Sequence, residues 1–204
     1  ATGLGSGMSV QDSVFLSCKA AGIVVGRVGT ASVSVEDLQN LERSSSNKLS
    51  PIKQKMVARE DLANTVLHYK KLGKKIVFTN GCFDLLHAGH VRYLEQASAL
   101  GDVLIVALNS DASVTRLKGE SRPINPLVDR MEVLAGLASV DLVVDFSEDT
   151  PEALICSIHP DILVKGGDYR VDQIAGRDCA GEVVLIEFVE GKSSTRLVNK
   201  IQQS

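Results

Sequence analysis

Two histidines that follow a glycine-containing turn are the side chains of this sequence best suited to chemistry. His87 and His90 come after the segment Thr79–Asp84, which itself follows a short apolar run, Lys75–Phe78. This order predicts a strand, a turn and then a helix that begins near the histidines. A helix N-terminus carries unpaired N–H groups and the positive end of a dipole, and imidazoles three residues apart lie on one helix face. The segment therefore predicts a binding site for a polyphosphate.

Two other interpretations of the histidines remain open. Together with Cys82 they offer zinc ligands, although their spacing is not that of a zinc finger and no second ligand pair lies nearby in the sequence. Alternatively, one of the two histidines only caps the helix.

Helical and strand-like patterns alternate from residue 55 to residue 204. The predicted strands are Lys75–Thr79, Val103–Leu108, Leu142–Val144, Ile162–Val164 and Val183–Ile186. The predicted helices are Arg59–Leu72, His90–Leu100, Val128–Leu137, Pro151–Ile158 and Thr195–Gln202. This alternation predicts an α/β fold, a Rossmann-like parallel sheet with helices on both faces, which binds ligands beyond the carboxyl ends of its strands.

Composition argues against several other classes of function. The chain of 204 residues has 22 basic and 25 acidic side chains and no Trp, so we expect no nucleic acid partner. No apolar run is long enough to cross a bilayer, so we expect no membrane partner. The four cysteines are widely scattered and form no CxxC pair, which predicts a reduced, cytoplasmic protein.

Several segments resemble a known family in the order in which they occur. Gly81-x-Phe83-Asp84-x-x-His87-x-Gly89-His90 resembles the nucleotidyltransferases that carry an HxGH motif. With Leu108–Asp111, Arg116–Gly119, Arg122–Ile124 and Val164–Tyr169, it is similar to the adenylyltransferase half of bifunctional ADP-heptose synthesis enzymes. The resemblance covers about residues 55–201.

A late Ser/Thr segment corresponds to a second motif of this family. Ser193, Ser194 and Thr195 stand at the start of the last predicted helix, where hydroxyl and N–H groups hold phosphate. Lys192 replaces the usual apolar residue of the motif and adds a cation. A plain helix cap is the alternative.

The resemblance implies a role for each candidate residue. His87, His90 and Lys118 are the implied catalytic residues, with Lys118 in a loop, Arg116–Arg122, that closes on the phosphates. The implied nucleotide-binding residues are Thr79, Asn80, Gly81, Phe83, Lys165, Gly166, Asp168, Ser193, Ser194 and Thr195. The implied acceptor-binding residues are Asp84, Asp111, Arg122 and Arg130, and no protein-bound metal is implied.

Simpler interpretations of several charged residues remain open. Lys118 and Arg122 are alternatively solvated loop charges, and Arg130 is alternatively half of a surface ion pair. Asp84 alternatively caps the turn in which it lies, and it and Asp111 are alternatively part of a magnesium shell. Gly81 is expected to let the backbone approach a phosphate.

The N-terminal zone fits the same resemblance. The segment Ala20–Ala31 is similar to the last segment of the ribokinase-like half of those bifunctional enzymes, whose Gly-Ala-Gly-Asp element is absent here. We therefore expect a kinase remnant without a kinase site over residues 1–43, a linker over 44–54 and a nucleotidyltransferase domain over 55–204. The kinase half is normally fused in cis. An unrelated N-terminal extension is the alternative.

The implied reaction transfers AMP from ATP to D-glycero-β-D-manno-heptose 1-phosphate, giving ADP-heptose for lipopolysaccharide core and pyrophosphate. It requires Mg²⁺, held mainly by the triphosphate. One alternative is a cytidylyltransferase acting on a polyol phosphate or phosphonate, and another is a module that binds nucleotide without turnover. Members of the family often form homodimers, although nothing in the spacing shows this here.

Overall fold

The computed structural model describes Ser34, residues 51–167 and residues 173–187. The chain divides into two compact units, Ala1–Ser50 and Pro51–Ser204, and the elements given below belong to the second. The predictions for residues 1–43 other than Ser34, for Asp168, for Ser193, Ser194 and Thr195, and for the helix Thr195–Gln202 lie outside the described residues.

Five strands and six α-helices make up the described part of this unit, together with one turn of 3₁₀ helix at Arg177–Cys179. The strands are β1 (Ile76–Gly81), β2 (Val103–Asn109), β3 (Leu142–Phe146), β4 (Ile162–Gly166) and β5 (Glu182–Ile186). The helices are α1 (Pro51–Lys55), α2 (Arg59–Lys71), α3 (Ala88–Ser98), α4 (Asp111–Lys118), α5 (Leu127–Ala135) and α6 (Glu152–Ile158).

The five strands form one parallel sheet in the order β3-β2-β1-β4-β5. β2 lies beside β1, and β3 lies beyond β2 on the same side. The chain then crosses over, and β4 pairs with the other edge of β1. The order therefore reverses between β1 and β4. Doubly wound sheets bind ligands in a crevice at such a reversal, so we expect the crevice beyond the carboxyl ends of these two strands.

Both faces of the sheet are apolar because helices cover both. Alternate residues of β1 and β2 pack with α3 and α5 in one cluster, which includes Val77 and Leu94. The intervening residues pack with α2 and α6 in a second cluster, which includes Phe78 and Leu62. All seven residues of β2 are buried, as expected for a central parallel strand. The predicted α/β fold with helices on both faces is confirmed.

Two local expectations differ from the structure. Residues 111–118 form helix α4, so Arg116, Leu117 and Lys118 are helical and are not part of a loop. The side chain of Ser110 accepts a hydrogen bond from the N–H of Ser113, which is a helix-capping contact between neighbours in the sequence. In addition, residues 51–54 of the expected linker lie in helix α1.

The expectation of four reduced cysteines is wrong for one pair. Cys156 on α6 and Cys179 in the 3₁₀ helix form a disulfide, with their Cα atoms 4.9 Å apart. The two are separated by 23 residues, and the fold brings the start of β5 against α6, so spacing alone did not reveal the pair. Cys82 is a free thiol.

None of the described helices combines the length and the apolar character needed to cross a bilayer.

Candidate active site

The two histidines lie together where α3 begins. His87 occupies the N-cap position and His90 the third helical position, and their rings stack with centroids 3.9 Å apart. The His87 side chain makes no capping hydrogen bond, so it does not close the helix end as the simpler interpretation required. The N–H of His90 donates to the His87 carbonyl at 2.9 Å, and anion binding by the N–H groups that precede it stays a prediction.

His90 is a neutral imidazole at pH 7. Burial, reinforced by electrostatic interactions with His87 and Lys118, lowers its pKa from 6.5 to about 4. The Phe83 ring packs edge-on against it with centroids 5.3 Å apart. Its Nδ1 atom is buried and has no hydrogen-bond partner among the described residues. A neutral imidazole in this setting offers one donor and one acceptor to a ligand.

A lysine from β4 lies across the crevice from β1. Lys165 Nζ donates a hydrogen bond to the side-chain oxygen of Asn80, which joins the carboxyl ends of the two strands. Burial lowers the pKa of Lys165 from 10.5 to about 8. Gly166 follows Lys165 at the end of β4. The structure thus brings together three predicted nucleotide-binding residues, Asn80, Lys165 and Gly166.

The carboxylate of Asp84 holds the loop before α5. It accepts hydrogen bonds from the Arg122 side chain and from the backbone N–H groups of Ile124 and Asn125, at 2.8 and 3.0 Å. Burial raises the pKa of Asp84, but the N–H of Asn125, the Arg122 side chain and the N–H of Ile124 outweigh it, so the pKa lies below its ordinary value. These contacts favour the turn-holding interpretation over a direct acceptor or magnesium contact.

Arg130 ties together three segments at the same edge of the sheet. Its guanidinium donates to the carbonyls of Cys82 at 2.6 Å, Asn109 at 2.9 Å and Asn125 at 3.0 Å. It also pairs with the Asp111 carboxylate at 2.6 Å. Arg130 is 2% exposed and the Asp111 side chain is 47% exposed, so the predicted ion pair is present but joins a buried guanidinium to a partly exposed carboxylate. Most of its donors are occupied within the protein.

An open pocket of about 380 Å³ lies beside this network. Its lining includes Phe83, Leu86, Asn125 and Arg130, with the carboxylates of Asp129 and Glu132 at its edge. Phe83 also contacts His90, so the pocket and the histidine pair share a wall. A polyhydroxylated ligand of modest size fits this volume and this mixture of donors and acceptors.

Two predicted nucleotide-binding residues, Thr79 and Gly81, make packing contacts within the protein. Thr79 is 0% exposed and its hydroxyl lies 2.7 Å from that of Tyr93, which argues against a contact between its side chain and a nucleotide. A Cβ atom at Gly81 would lie 3.0 Å from the Phe83 ring. The missing side chain of Gly81 therefore makes room for Phe83, and the approach of a phosphate to this backbone stays a prediction.

The remaining predicted cations, Lys118 and Arg122, lie at and just beyond the end of α4. Lys118 is exposed at the end of α4, where Gly119, with φ 94°, turns the chain away from the helix. Arg122 is 11% exposed in its side chain, and one of its terminal nitrogens is buried without a hydrogen-bond partner among the described residues. The simpler interpretation as a solvated charge therefore fails for Arg122.

Asn109 and Asn125 belong to this network, although sequence reasoning did not single them out. Asn125 donates to the carbonyl of Asp84 at 2.7 Å, and Asn109 donates to the Ser113 hydroxyl at 3.0 Å. The Asn125-Pro126 dipeptide is a turn signal that pointed to a loop here, but nothing local indicated its distant partners.

Within the described segments, no group of three or more His, Cys, Asp or Glu side chains is arranged to hold a metal ion. The candidate site is instead built from imidazoles, a lysine, arginines and helix N–H groups. That donor set suits an anion, and a divalent cation would enter with the phosphates that carry it.

Comparison with known proteins agrees with this geometry. The model of the family described as cytidylyltransferase-like matches residues 78–199. The chain is 50% identical to the bifunctional protein HldE of Hydrogenovibrio crunogenus over 208 residues, covering 100% of this chain and 43% of that protein. It is 52% identical to the HldE of Azotobacter vinelandii, with the same coverage. The chain thus spans less than half the length of these curated relatives.

Among solved structures, the chain is similar to the lipopolysaccharide core biosynthesis protein from Thermoplasma volcanium. The TM-score is 0.51 at 28% identity, over 58% of this chain and 100% of that one. The matched family segment begins in β1 and contains His87, His90 and Lys165. The chain therefore belongs to the cytidylyltransferase-like family.

Proposed function

We propose that this chain is the adenylyltransferase part of an ADP-heptose synthesis enzyme and transfers AMP from ATP to D-glycero-β-D-manno-heptose 1-phosphate. The observation that carries the proposal is the stacked His87–His90 pair at the N-terminus of α3, beside the crevice between β1 and β4. The relatives at 50% and 52% identity support it, and the similarity reaches across this whole chain.

In this proposal the acceptor phosphate attacks the α-phosphorus of ATP, and pyrophosphate leaves. A phosphomonoester is mostly ionised at neutral pH, so the reaction needs no general base. Catalysis then depends on orienting two anions and on stabilising the charge that develops during transfer. His87, His90 and Lys118 serve the reacting phosphates, and Ser193, Ser194 and Thr195 hold the outer phosphates of ATP.

The nucleotide occupies the crevice between β1 and β4, near Asn80, Lys165, Gly166 and Asp168. We place the acceptor in the 380 Å³ pocket, where Asp129 and Glu132 accept hydrogen bonds from sugar hydroxyls. Arg122 faces the acceptor phosphate, whereas Asp84, Asp111 and Arg130 position the surrounding loops. Mg²⁺ neutralises the triphosphate and is held by its oxygens and by water.

The proposal extends to the rest of the molecule. Residues 1–43 are the remnant of a fused kinase half, the active form is a homodimer, and the reaction takes place in the cytoplasm, where ATP is available. The description of the family leaves CTP as the alternative nucleotide.

Pyrophosphate release, measured with Mg²⁺ and each of ATP and CTP, tests the proposal with D-glycero-β-D-manno-heptose 1-phosphate as acceptor. We expect release with ATP and at least about tenfold less with CTP. Release only with CTP, or only with a polyol phosphate, would replace it with the cytidylyltransferase alternative. Nucleotide binding without release from any acceptor would indicate a binding module.

A further inference from the structure

A partly buried lysine side chain lies where the strand order of the sheet reverses. Lys165 is the penultimate residue of β4 and Asn80 the penultimate residue of β1, and their side chains are hydrogen-bonded. The contact therefore bridges the two strands that define the crevice, on the side where their carboxyl ends meet.

The charge of this group is not balanced by the described part of the protein. Its hydrogen-bond partner there is a neutral amide, and no described carboxylate forms an ion pair with it. Leu185 of β5 is its neighbour in the sheet register and is also uncharged. Burial is the cause that lowers its pKa to about 8, and no charged group among the described residues contributes. A buried cation in this situation is stabilised when an anion binds.

We propose that Lys165, oriented by Asn80, binds a phosphate group in the crevice between β1 and β4. The inference rests on the proposed function, because it names a contact within the same site. An ammonium group has three donors, and among the described residues only Asn80 accepts from it, so two donors are assigned to phosphate oxygens in this proposal. Because Asn80 is neutral, it orients the ammonium without cancelling its charge. The phosphate belongs either to the nucleotide or to the sugar 1-phosphate.

Calorimetric binding at pH 7 separates these two sources without requiring turnover. The ligands are adenosine, AMP, α,β-methylene-ATP with Mg²⁺, and D-glycero-β-D-manno-heptose 1-phosphate. The proteins are the wild type, Lys165→Met, Lys165→Arg and Lys74→Met. Lys74 is the matched control, because it carries the same charge, is exposed, and precedes β1 at the opposite edge of the sheet. Circular dichroism and thermal unfolding verify that each variant is folded.

We expect Lys165→Met to weaken one class of phosphate ligand at least about tenfold, with adenosine unchanged and Lys165→Arg partly restoring affinity. Weaker AMP and α,β-methylene-ATP binding identifies the nucleotide phosphate, and weaker sugar phosphate binding identifies the acceptor phosphate. The inference would be overturned if Lys165→Met bound every phosphate ligand as tightly as the wild type does. It would also be overturned if Lys165→Met lost as much affinity for adenosine, or if Lys74→Met showed the same loss for the phosphate ligands. Binding that depends on Lys165 without any pyrophosphate release would refute the proposed reaction alone.

Discussion

At the scale of single residues, the candidate site differs from a simple cluster of positive charges. His90 is neutral at pH 7 because burial, together with electrostatic interactions with His87 and Lys118, lowers its pKa to about 4. Lys165 remains mostly charged at pH 7 although its pKa is lowered to about 8. In the proposed transfer reaction, the neutral hydrogen-bond donor His90 and the mostly charged Lys165 have different roles.

Replacing His90 with Ala removes a donor from the region where charge develops. We expect the rate of pyrophosphate release to fall about 100-fold or more, with thermal unfolding little changed, because the ring is only partly buried at the start of α3. The control is His68→Ala on the exposed side of α2, which should retain the wild-type rate. Equal rates for wild type and His90→Ala would remove His90 from the catalytic residues.

The protonation of His90 is predicted to respond to ligand. In the free protein, the ring proton signals of His90 should titrate with a pKa of about 4. Binding of α,β-methylene-ATP with Mg²⁺ should raise that pKa, because the negative charge of the phosphates favours the imidazolium form. Proton NMR titration, with the signals assigned by the His90→Ala variant, measures both values. A free-state pKa near 6.5 would contradict the burial argument.

The same shift has a consequence for stability. Between pH 6.5 and about 4 the unfolded chain binds a proton at His90 that the folded protein does not. The free energy of unfolding should therefore fall as the pH drops through this window, and less steeply in His90→Ala. Urea unfolding at pH 7 and at pH 4.5 tests the difference.

At the scale of elements, two buried side chains hold the loops that surround the site. Asp84 binds the segment from Arg122 to Asn125, and Arg130 binds the carbonyls that follow β1 and β2. Because the carbonyl of Cys82 immediately precedes Phe83, Arg130 also positions the ring that contacts His90. A parallel sheet brings these separate loops to one edge, and the two charged groups join them.

Removing the side chain of Arg130 should destabilise the fold. Arg130→Met leaves buried carbonyls and the Asp111 carboxylate without their donor, so we expect a loss of about 2–4 kcal/mol in the free energy of unfolding. Arg116→Met is the matched control, since its pair with Asp149 is at least half exposed and should contribute less than about 1 kcal/mol. Urea unfolding measures both variants. Similar losses would show that Arg130 does not hold the loops.

At the scale of the whole molecule, the Cys156–Cys179 disulfide links α6 to the segment before β5. Reduction should lower the free energy of unfolding by about 3 kcal/mol, the loop-closure value for a separation of 23 residues. Thermal unfolding with and without a thiol reductant measures this loss of stability. We expect Cys156→Ala to unfold at the same temperature as the reduced protein, whether or not the reductant is present. Cys82→Ala, which leaves the disulfide in place, should respond as the wild type does.

The comparison of unfolding with and without reductant also tests whether the protein is compatible with the proposed cytoplasmic location. Thiol reductants of the cytoplasm keep most disulfides open. A transition that reductant leaves unchanged would show that the pair does not contribute to stability, which would agree with the reduced state expected from the sequence.

Local patterns were sufficient for most of the fold. The strand and helix order followed from apolar runs and their endings, because periodicity depends on neighbours in the chain. The structure confirms each predicted strand within about two residues. Helix α4 was not predicted because its short polar sequence, Asp111–Lys118, has too few apolar residues to show a helical period.

The sequence by itself determined the class of fold, the position of the histidines at a helix N-terminus and the end of the sheet at which the site lies. Only the tertiary structure decided that Thr79 faces the core, that Gly81 makes room for Phe83, and that Asp84 and Arg130 hold loops. It also decided the Lys165–Asn80 contact and the Cys156–Cys179 pair. The physical reason is that each of these depends on atoms distant in sequence, whose meeting is set by strand order and packing and not by local propensity.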